Sequence, residues 1–197
     1  NKTLAIISHT PHFKSKHGEI YSFGPTAREI NHLTNIFSEI YHIAPLHSGL
    51  PPLIALPYTS TKIKFISLIP AGGSGVLNKL NILLKMPLNL LKIHSIAKKV
   101  DWVQFRGPTN LGLYVLPYLS LRKSSQHWVK YAGNWIQKTP PLSYRLQRWW
   151  LDENIQNSKV TINGVWGKQK PHLISFENPC LTDSEYNEAT KIATNKN

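Results

Sequence analysis

Polar and charged side chains follow several short apolar runs of this chain, and they are the groups that could do chemistry. Ser8–Thr10 follows the run Thr3–Ile7, and Arg106 stands at the end of the run that begins at Trp102. A guanidinium presents a fixed fork of donors suited to phosphate or carboxylate. Arg106 is therefore interpreted as a ligand-binding group, with a structural salt bridge as the alternative.

A second group of candidates lies between the first apolar run and the first helix. His9, His12, His17, Gly18 and Glu19 fall in this polar segment. A glycine there lets the backbone approach a ligand that faces a helix amino terminus, so the segment is either a binding element or a polar surface loop. The histidines lack the spacing of a zinc motif, and the dinucleotide fingerprint G-x-G-x-x-G is missing. No metal, nicotinamide or flavin site is expected.

A third group follows the apolar run Trp128–Ala132. Tyr131, Asn134 and Trp135 offer a hydroxyl, an amide and an indole. Sugars are bound through this combination of hydrogen bonds and flat apolar faces, although the same residues could simply seal the edge of a sheet.

The elements that must position these groups alternate between strands and helices, which predicts an α/β fold with a parallel sheet flanked by helices. Because the carboxyl ends of parallel strands lie on one edge, the polar clusters would converge on one crevice. The expected strands are Thr3–Ile7, Glu39–Pro45, Ile63–Pro70, Trp102–Phe105, His127–Ala132, Val160–Asn163 and His172–Phe176. The expected helices are one opened by Pro25 that reaches past Ile36, Leu77–Val100 (bent or split at Pro87), Leu111–Leu121, Ser143–Ile155 and Asp183–Ala193.

The amino-acid composition limits the classes of protein and partner that fit this chain. The chain has 197 residues, 41% of them hydrophobic and 17% charged, which is typical of a globular domain. Its net charge of +13 favours phosphorylated ligands, anionic lipid or nucleic acid, with a merely solvated basic surface as the alternative. No apolar run approaches the ~20 residues of a membrane span, and a single cysteine excludes an internal disulfide. The chain does not start at an initiator methionine, so a processed protein or a fragment is expected.

The pair Trp149-Trp150 lies on a predicted helix that also carries Arg145 and Arg148. Both indoles cannot face the core well, so one is expected to meet a partner domain or a membrane interface. A helix wedged between two apolar surfaces is the alternative.

In their order, these features resemble the amino-terminal half of the retaining nucleotide-sugar glycosyltransferases with two Rossmann-like domains (the GT-B fold, glycosyltransferase family four). The resemblance covers essentially the whole chain and rests on His17-Gly18, Asp101–Gly107, Val160–Gly164 and His172–Pro179. It implies a Rossmann-like acceptor-binding domain over residues 1–180 and the start of an interdomain linker over residues 181–197. The implied carboxyl-terminal donor-binding domain would follow.

The resemblance also implies an activity. A hexosyl group would pass from a nucleotide-sugar (a UDP- or GDP-sugar) to a polysaccharide or glycolipid acceptor, in the cleft between the two domains. This domain would hold no cofactor or metal and would be inactive alone. It would lie in the cytoplasm, at the inner face of a membrane that its basic, aromatic surface contacts.

One departure from the family's pattern affects the expected roles. Family members commonly carry Asp-x-x-His-x-His at the fourth strand, and here Gln104 and Arg106 stand in place of the histidines. The catalytic residues are therefore expected to be Arg106, which would hold a phosphate or an acceptor carboxylate, and His9 or His17, which would supply the imidazole. The acceptor would be bound by Gly18, Glu19, Gly107, Tyr131, Asn134 and Trp135.

The alternative function is a basic α/β module that binds nucleic acid or phosphorylated ligands without catalysis. Nucleic acid is disfavoured, because base-stacking sheets need exposed aromatic residues on their strands and these strands look buried on both faces.

Overall fold

A computed structural model describes residues 2–71, 76–122, 126–176 and 183–194. The strands are β1 (Thr3–Ile7), β2 (His12–Lys14), β3 (Ile20–Phe23), β4 (Glu39–His47), β5 (Ala55–Pro57), β6 (Ile63–Leu68), β7 (Trp102–Gly107), β8 (Gln126–Tyr131), β9 (Lys159–Asn163) and β10 (Leu173–Phe176). The helices are α1 (Gly24–Leu33), α2 (Val76–Ala97), α3 (Gly112–Ser120), α4 (Leu142–Asp152) and α5 (Asp183–Thr194).

The main sheet is parallel and has the strand order β6-β4-β1-β7-β8-β9-β10. This is the order of doubly wound sheets, in which the chain starts in the middle, builds one half outward and then returns to build the other. The predicted α/β fold with a Rossmann-like sheet flanked by helices is confirmed. The order reverses between β1 and β7, and their carboxyl ends meet there.

The segment predicted as a polar loop is instead an antiparallel extension of the sheet. Strand β2 pairs with β3, β3 pairs with β5, and β2 continues beside the end of β4. Gly18 has a φ of +88° in the turn between β2 and β3, a conformation that favours glycine. These strands of three and four residues are too short for an alternating pattern to stand out from the sequence.

Several predicted boundaries also change. Helix α1 ends at Leu33, so Ile36 lies outside it and is exposed. Helix α2 is one continuous helix through Pro87 and is not split there. Strand β6 ends at Leu68, before the expected Pro70. The predicted break at Gly72-Gly73 and the domain boundary at residues 180–181 lie outside the described residues.

The two faces of the main sheet differ in composition. Helices α2, α3 and α4 cover one face over a large apolar core that includes Val103, Phe105, Val129 and Leu119. Helix α1 covers part of the other face over a small cluster made of Leu4, Ile6, Ile30, Phe37 and Ile40. Side chains alternate along a strand, so β7 sends Phe105 into the large core while its neighbour Arg106 reaches Glu29 of α1.

Helix α1 starts where the chain is packed closely against a neighbouring segment. A Cβ on Gly24 would lie 2.7 Å from the carbonyl oxygen of Ile54, so only glycine fits. Pro25 follows at the favoured start of the helix, as predicted. At its middle, Arg28 forms a salt bridge of 2.7 Å with Glu185, which ties α5 to α1.

Candidate functional site

A cleft of about 380 Å³ opens at the carboxyl ends of β1 and β7, where the strand order reverses. Larger hollows exist, including one of about 630 Å³ near the amino ends of β7 and β8. Ligands of open α/β sheets bind at the carboxyl edge, at the point of reversal, so the smaller cleft is the candidate site. It is lined by Ser8, His9, Thr10, Thr26, Arg106, Gly107, Pro108, Thr109, Ala132, Gly133 and Tyr144.

Arg106 is buried in the wall of this cleft, with 9% of its surface exposed. Its Nη2 donates to Glu29 over 2.9 Å, while its Nη1 is buried without a hydrogen-bond partner among the described residues. Because an unsatisfied buried donor is costly, an anionic oxygen bound in the cleft would stabilise this arrangement. The salt bridge that was the alternative interpretation of Arg106 is therefore present, and its role in ligand binding stays a prediction.

Glu29 bridges two cations that reach it from adjacent strands. One carboxylate oxygen accepts from Arg106 and the other accepts from Lys130 Nζ over 2.6 Å. Burial alone would raise the pKa of Glu29, but the two cations outweigh burial and hold this pKa below its usual value. Lys130 also lies 4.0 Å from the centre of the Phe176 ring. Sequence reasoning did not select Lys130, although a charged residue within an apolar strand was a usable signal.

A buried chain of hydrogen bonds leads away from the cleft. Ser8 Oγ lies 2.7 Å from His42 Nε2, and His42 Nδ1 is hydrogen-bonded to the Tyr58 hydroxyl. The same hydroxyl lies 2.7 Å from His12 Nε2, and His12 Nδ1 lies 2.8 Å from the Thr10 carbonyl oxygen. Burial lowers the pKa of His12 to about 4 and that of His42 well below its usual value. Both imidazoles are therefore neutral at pH 7.

His42 and Tyr58 were not predicted as site residues. A histidine in the middle of the buried strand β4 was the available signal for His42. Tyr58 lies just after the short strand β5 and gave none, because only the fold brings it between the two histidines.

The cleft brings together three of the predicted site residues, namely His9, Arg106 and Gly107. His9 is half-buried, and this partial burial lowers its pKa. The other six predicted residues do not line the cleft.

Three of these six, His17, Gly18 and Glu19, are exposed at the β2–β3 turn. Gly18 has a turn role there, since its N–H donates to the Ser15 carbonyl oxygen over 3.0 Å. The predicted loop facing a helix terminus is replaced by this hairpin.

The remaining three residues follow or end β8. Tyr131 is buried in the large core, with its ring edge-on to that of Trp135 at 5.0 Å. Asn134 Oδ1 accepts the N–H of Ile136 over 3.1 Å, which closes a turn. Trp135 lines a separate hollow of about 500 Å³ beside α4.

The loop after β7 is fixed in place by Gln147 of α4. The side chain of Gln147 accepts the N–H of Thr109 over 3.2 Å and donates to the Thr109 carbonyl oxygen over 2.9 Å. Gly112 leaves room for this contact, since a Cβ there would lie 2.0 Å from Gln147 Oε1. These contacts attach the Thr109 wall of the cleft to α4.

Within the described ranges, no group of three or more His, Cys, Asp and Glu side chains could hold a metal ion. In the same ranges, no helix is both long enough and apolar enough to cross a bilayer. No protein-family model matches this chain, and no curated protein matches it either.

Proposed function

We propose that this chain is the acceptor-binding, amino-terminal domain of a nucleotide-sugar-dependent glycosyltransferase that transfers a hexosyl group to a polysaccharide or glycolipid acceptor. The observation that carries the proposal is the cleft at the reversal of a Rossmann-like sheet, lined by Arg106, whose buried Nη1 has no hydrogen-bond partner in the described part of the chain.

The chemistry of the lining suits a sugar that carries an anionic group. Five of the residues that line the cleft carry hydroxyl groups, namely Ser8, Thr10, Thr26, Thr109 and Tyr144. Such groups exchange hydrogen bonds with sugar hydroxyls in either direction. Arg106 adds a charged fork that matches the phosphate of a glycolipid or the carboxylate of an acidic sugar.

In this proposal, the donor is bound elsewhere. A second, carboxyl-terminal domain holds the UDP- or GDP-sugar, and α5 starts the connection to it. Transfer occurs between the two domains, so this chain alone is inactive. No cofactor is assigned to the cleft.

The helical layer of the domain supports an additional proposal, contact with the inner face of an anionic membrane. Leu84, Leu88 and Leu91 recur along the outer face of α2 and are all more than half exposed. On α4, Trp149 is 52% exposed, while Trp150 packs against the large core. Apolar side chains on a strongly basic domain favour a peripheral position on anionic lipid.

A second candidate is a module that binds phosphorylated ligands without catalysis, because the guanidinium of Arg106, whose Nη1 has no partner among the described residues, would suit such ligands equally. Nucleic acid is less well supported. The strand residues Trp102 and Trp128 are only partly exposed and pack edge-on against each other at 5.9 Å, so they present no open stacking platform.

The test uses the complete protein with radiolabelled UDP- and GDP-hexoses and a lipid and polysaccharide extract of the source cells. Arg106→Ala is expected to lower transfer about 100-fold, the effect of losing a charged hydrogen bond. Arg145→Ala removes an exposed arginine of α4 and serves as the control with near-normal transfer. Normal turnover by Arg106→Ala would refute the role of Arg106.

A binding measurement separates the two candidates. Methyl phosphate titrated into this chain should shift the Arg106 side-chain resonances in either case. Phosphate binding without hexosyl transfer by the complete protein would favour the binding module.

A further inference from the structure

We propose that Ser8, His42, Tyr58 and His12 form a proton relay that takes the proton from a hydroxyl group bound in the cleft and delivers it to His12. The identity of that hydroxyl as the sugar acceptor's rests on the proposed function, whereas the relay itself rests on the hydrogen bonds of the fold.

The direction of every hydrogen bond in the relay follows from its fixed end. The Thr10 carbonyl can only accept, so His12 Nδ1 carries a proton and donates to it. Neutral His12 then has a bare Nε2, which accepts from the Tyr58 hydroxyl. The hydroxyl has used its single proton, so its oxygen accepts from His42 Nδ1, and His42 Nε2 accepts from Ser8.

This direction determines what Ser8 offers to a ligand. Ser8 Oγ donates to His42 and accepts weakly from the Thr10 N–H at 3.2 Å. Among the described residues this leaves one lone pair of the oxygen for a donor in the cleft, which Ser8 lines. At rest, Ser8 is therefore a hydrogen-bond acceptor toward the cleft and favours a ligand hydroxyl that donates to it.

The proton shift conserves atoms and charge. The ligand hydroxyl gives its proton to Ser8 Oγ, as Ser8 passes its own proton to His42 Nε2. His42 Nδ1 passes a proton to Tyr58, and Tyr58 passes its proton to His12 Nε2. His12 becomes an imidazolium that donates to both Thr10 and Tyr58. The ligand oxygen keeps its electron pair and forms the new bond to the anomeric carbon of the nucleotide-sugar, as the nucleotide phosphate leaves.

The groups around His12 determine when it can accept a proton through the relay. The Phe65 ring of β6 stacks on His12 at 4.5 Å, and the His42 ring of β4 meets it edge-on at 4.6 Å. Burial is the main cause that disfavours a proton on either imidazole, and neighbouring groups add to it, namely His47 at His12, and His12 and Arg106 at His42. At neutral pH, both imidazoles of the relay are therefore uncharged. The relay accepts a proton only as the hydroxyl oxygen becomes acidic during bond formation.

The first test needs no sugar substrate. Nitrogen-15 NMR of histidine-labelled chain at pH 7 is expected to find both His12 and His42 as Nδ1–H tautomers. On acidification toward pH 4, His12 should become doubly protonated while His42 switches to the Nε2–H tautomer with the same midpoint. An Nε2–H tautomer of His42 at pH 7 would overturn the relay, as would a titration of His12 that leaves His42 unchanged.

A pair of variants tests the link between the two histidines at pH 7, so the chain does not have to stay folded in acid. Tyr58→Phe removes the central hydroxyl, so His42 should become a mixture of tautomers while His12 stays Nδ1–H. Tyr118→Phe is the matched control, since Tyr118 lies 3.1 Å from the exposed His94 in an unrelated His–Tyr pair. A pure Nδ1–H tautomer of His42 in Tyr58→Phe would refute the link.

The catalytic role is tested in the complete protein, with labelled UDP- and GDP-hexoses. Tyr58→Phe should lower kcat at least tenfold and leave KM for the acceptor within twofold, because the acceptor touches Ser8 and not Tyr58. An unchanged kcat would exclude the relay from catalysis. If the tautomers are as expected but no hexosyl transfer is found, the proposed function fails while the relay stands.

Discussion

The two faces of the main sheet bury different kinds of side chain, and two adjacent residues of β7 show the difference. Phe105 enters a core of apolar side chains beneath α2, α3 and α4, while Arg106 joins Glu29 and Lys130 beneath α1. The first face buries many more apolar side chains and is therefore expected to contribute most of the stability. The second face holds buried charges and a chain of imidazoles, which cost desolvation. The groups of the proposed site and relay therefore lie on the face that contributes less to folding.

The largest expected effect on stability is on the face covered by α2, α3 and α4 (the apolar face). Phe105→Ala should lower the free energy of unfolding by about 3–5 kcal/mol, because it leaves a cavity in the large core. Urea denaturation followed by circular dichroism measures this change. Phe105→Leu is the milder control. A loss below about 1 kcal/mol would mean that the large core is not the main source of stability.

The next largest effect is expected on the face beneath α1, where Glu29 joins Arg106 and Lys130 (the charged face). A substitution there should lower the free energy of unfolding by less than Phe105→Ala and should also change the candidate site. Glu29→Gln takes away the carboxylate between Arg106 and Lys130, so the free energy of unfolding should fall by about 3 kcal/mol, at the lower end for a broken buried pair. The control, Glu39→Gln, removes the partner of Lys64 in a more exposed pair and should move the urea midpoint much less. Equal effects of the two variants would contradict the distinction between buried and exposed pairs.

The charged face should also make stability depend on pH. The folded pKa of His12, about 4, lies below the unfolded value of 6.5, so the unfolded chain binds the proton first as the pH falls. Stability should therefore decrease from pH 6.5 toward pH 4, with a slope of up to about 1.4 kcal/mol per pH unit for each such histidine. The contribution of Glu29, whose pKa is also lowered, is lost only as the pH falls below 4.5.

Urea midpoints at pH 7.0, 5.5 and 4.5 measure this dependence. His12→Gln should flatten it, whereas His94→Gln, at an exposed position, should leave it as in the unmodified chain. A midpoint that stays constant over this range would show that the buried histidines titrate normally.

The smallest change in stability is expected at the outer surface of the helical layer. Trp149→Ser should alter the free energy of unfolding by no more than about 0.5 kcal/mol, because the indole is half exposed. The same variant should bind less to vesicles containing phosphatidylglycerol, as measured by co-sedimentation. Trp150→Ser should instead destabilise the fold, since Trp150 packs on the core. Unchanged vesicle binding by Trp149→Ser would contradict the proposed membrane contact.

Much of the fold could be predicted from the sequence, but little of the site could. The central strands could be predicted from uninterrupted apolar runs, because strands of a parallel sheet are buried on both faces. Arg106 was identifiable because a charge at the end of such a run is unusual. Strands β2 and β3 were missed, because each is short and pairs through the backbone without a distinctive side-chain pattern.

By itself, the sequence determined the parallel α/β architecture, the convergence of polar residues on one edge and the candidacy of Arg106, His9 and Gly107. These follow from local periodicity and from the geometry that all parallel sheets share. Only the tertiary structure decided that Glu29 lies between two cations, that Tyr58 joins His12 to His42, and that Tyr131 and His17 lie away from the cleft. Those contacts join residues that are tens of positions apart, and no local pattern encodes which distant side chains the fold brings within hydrogen-bonding distance.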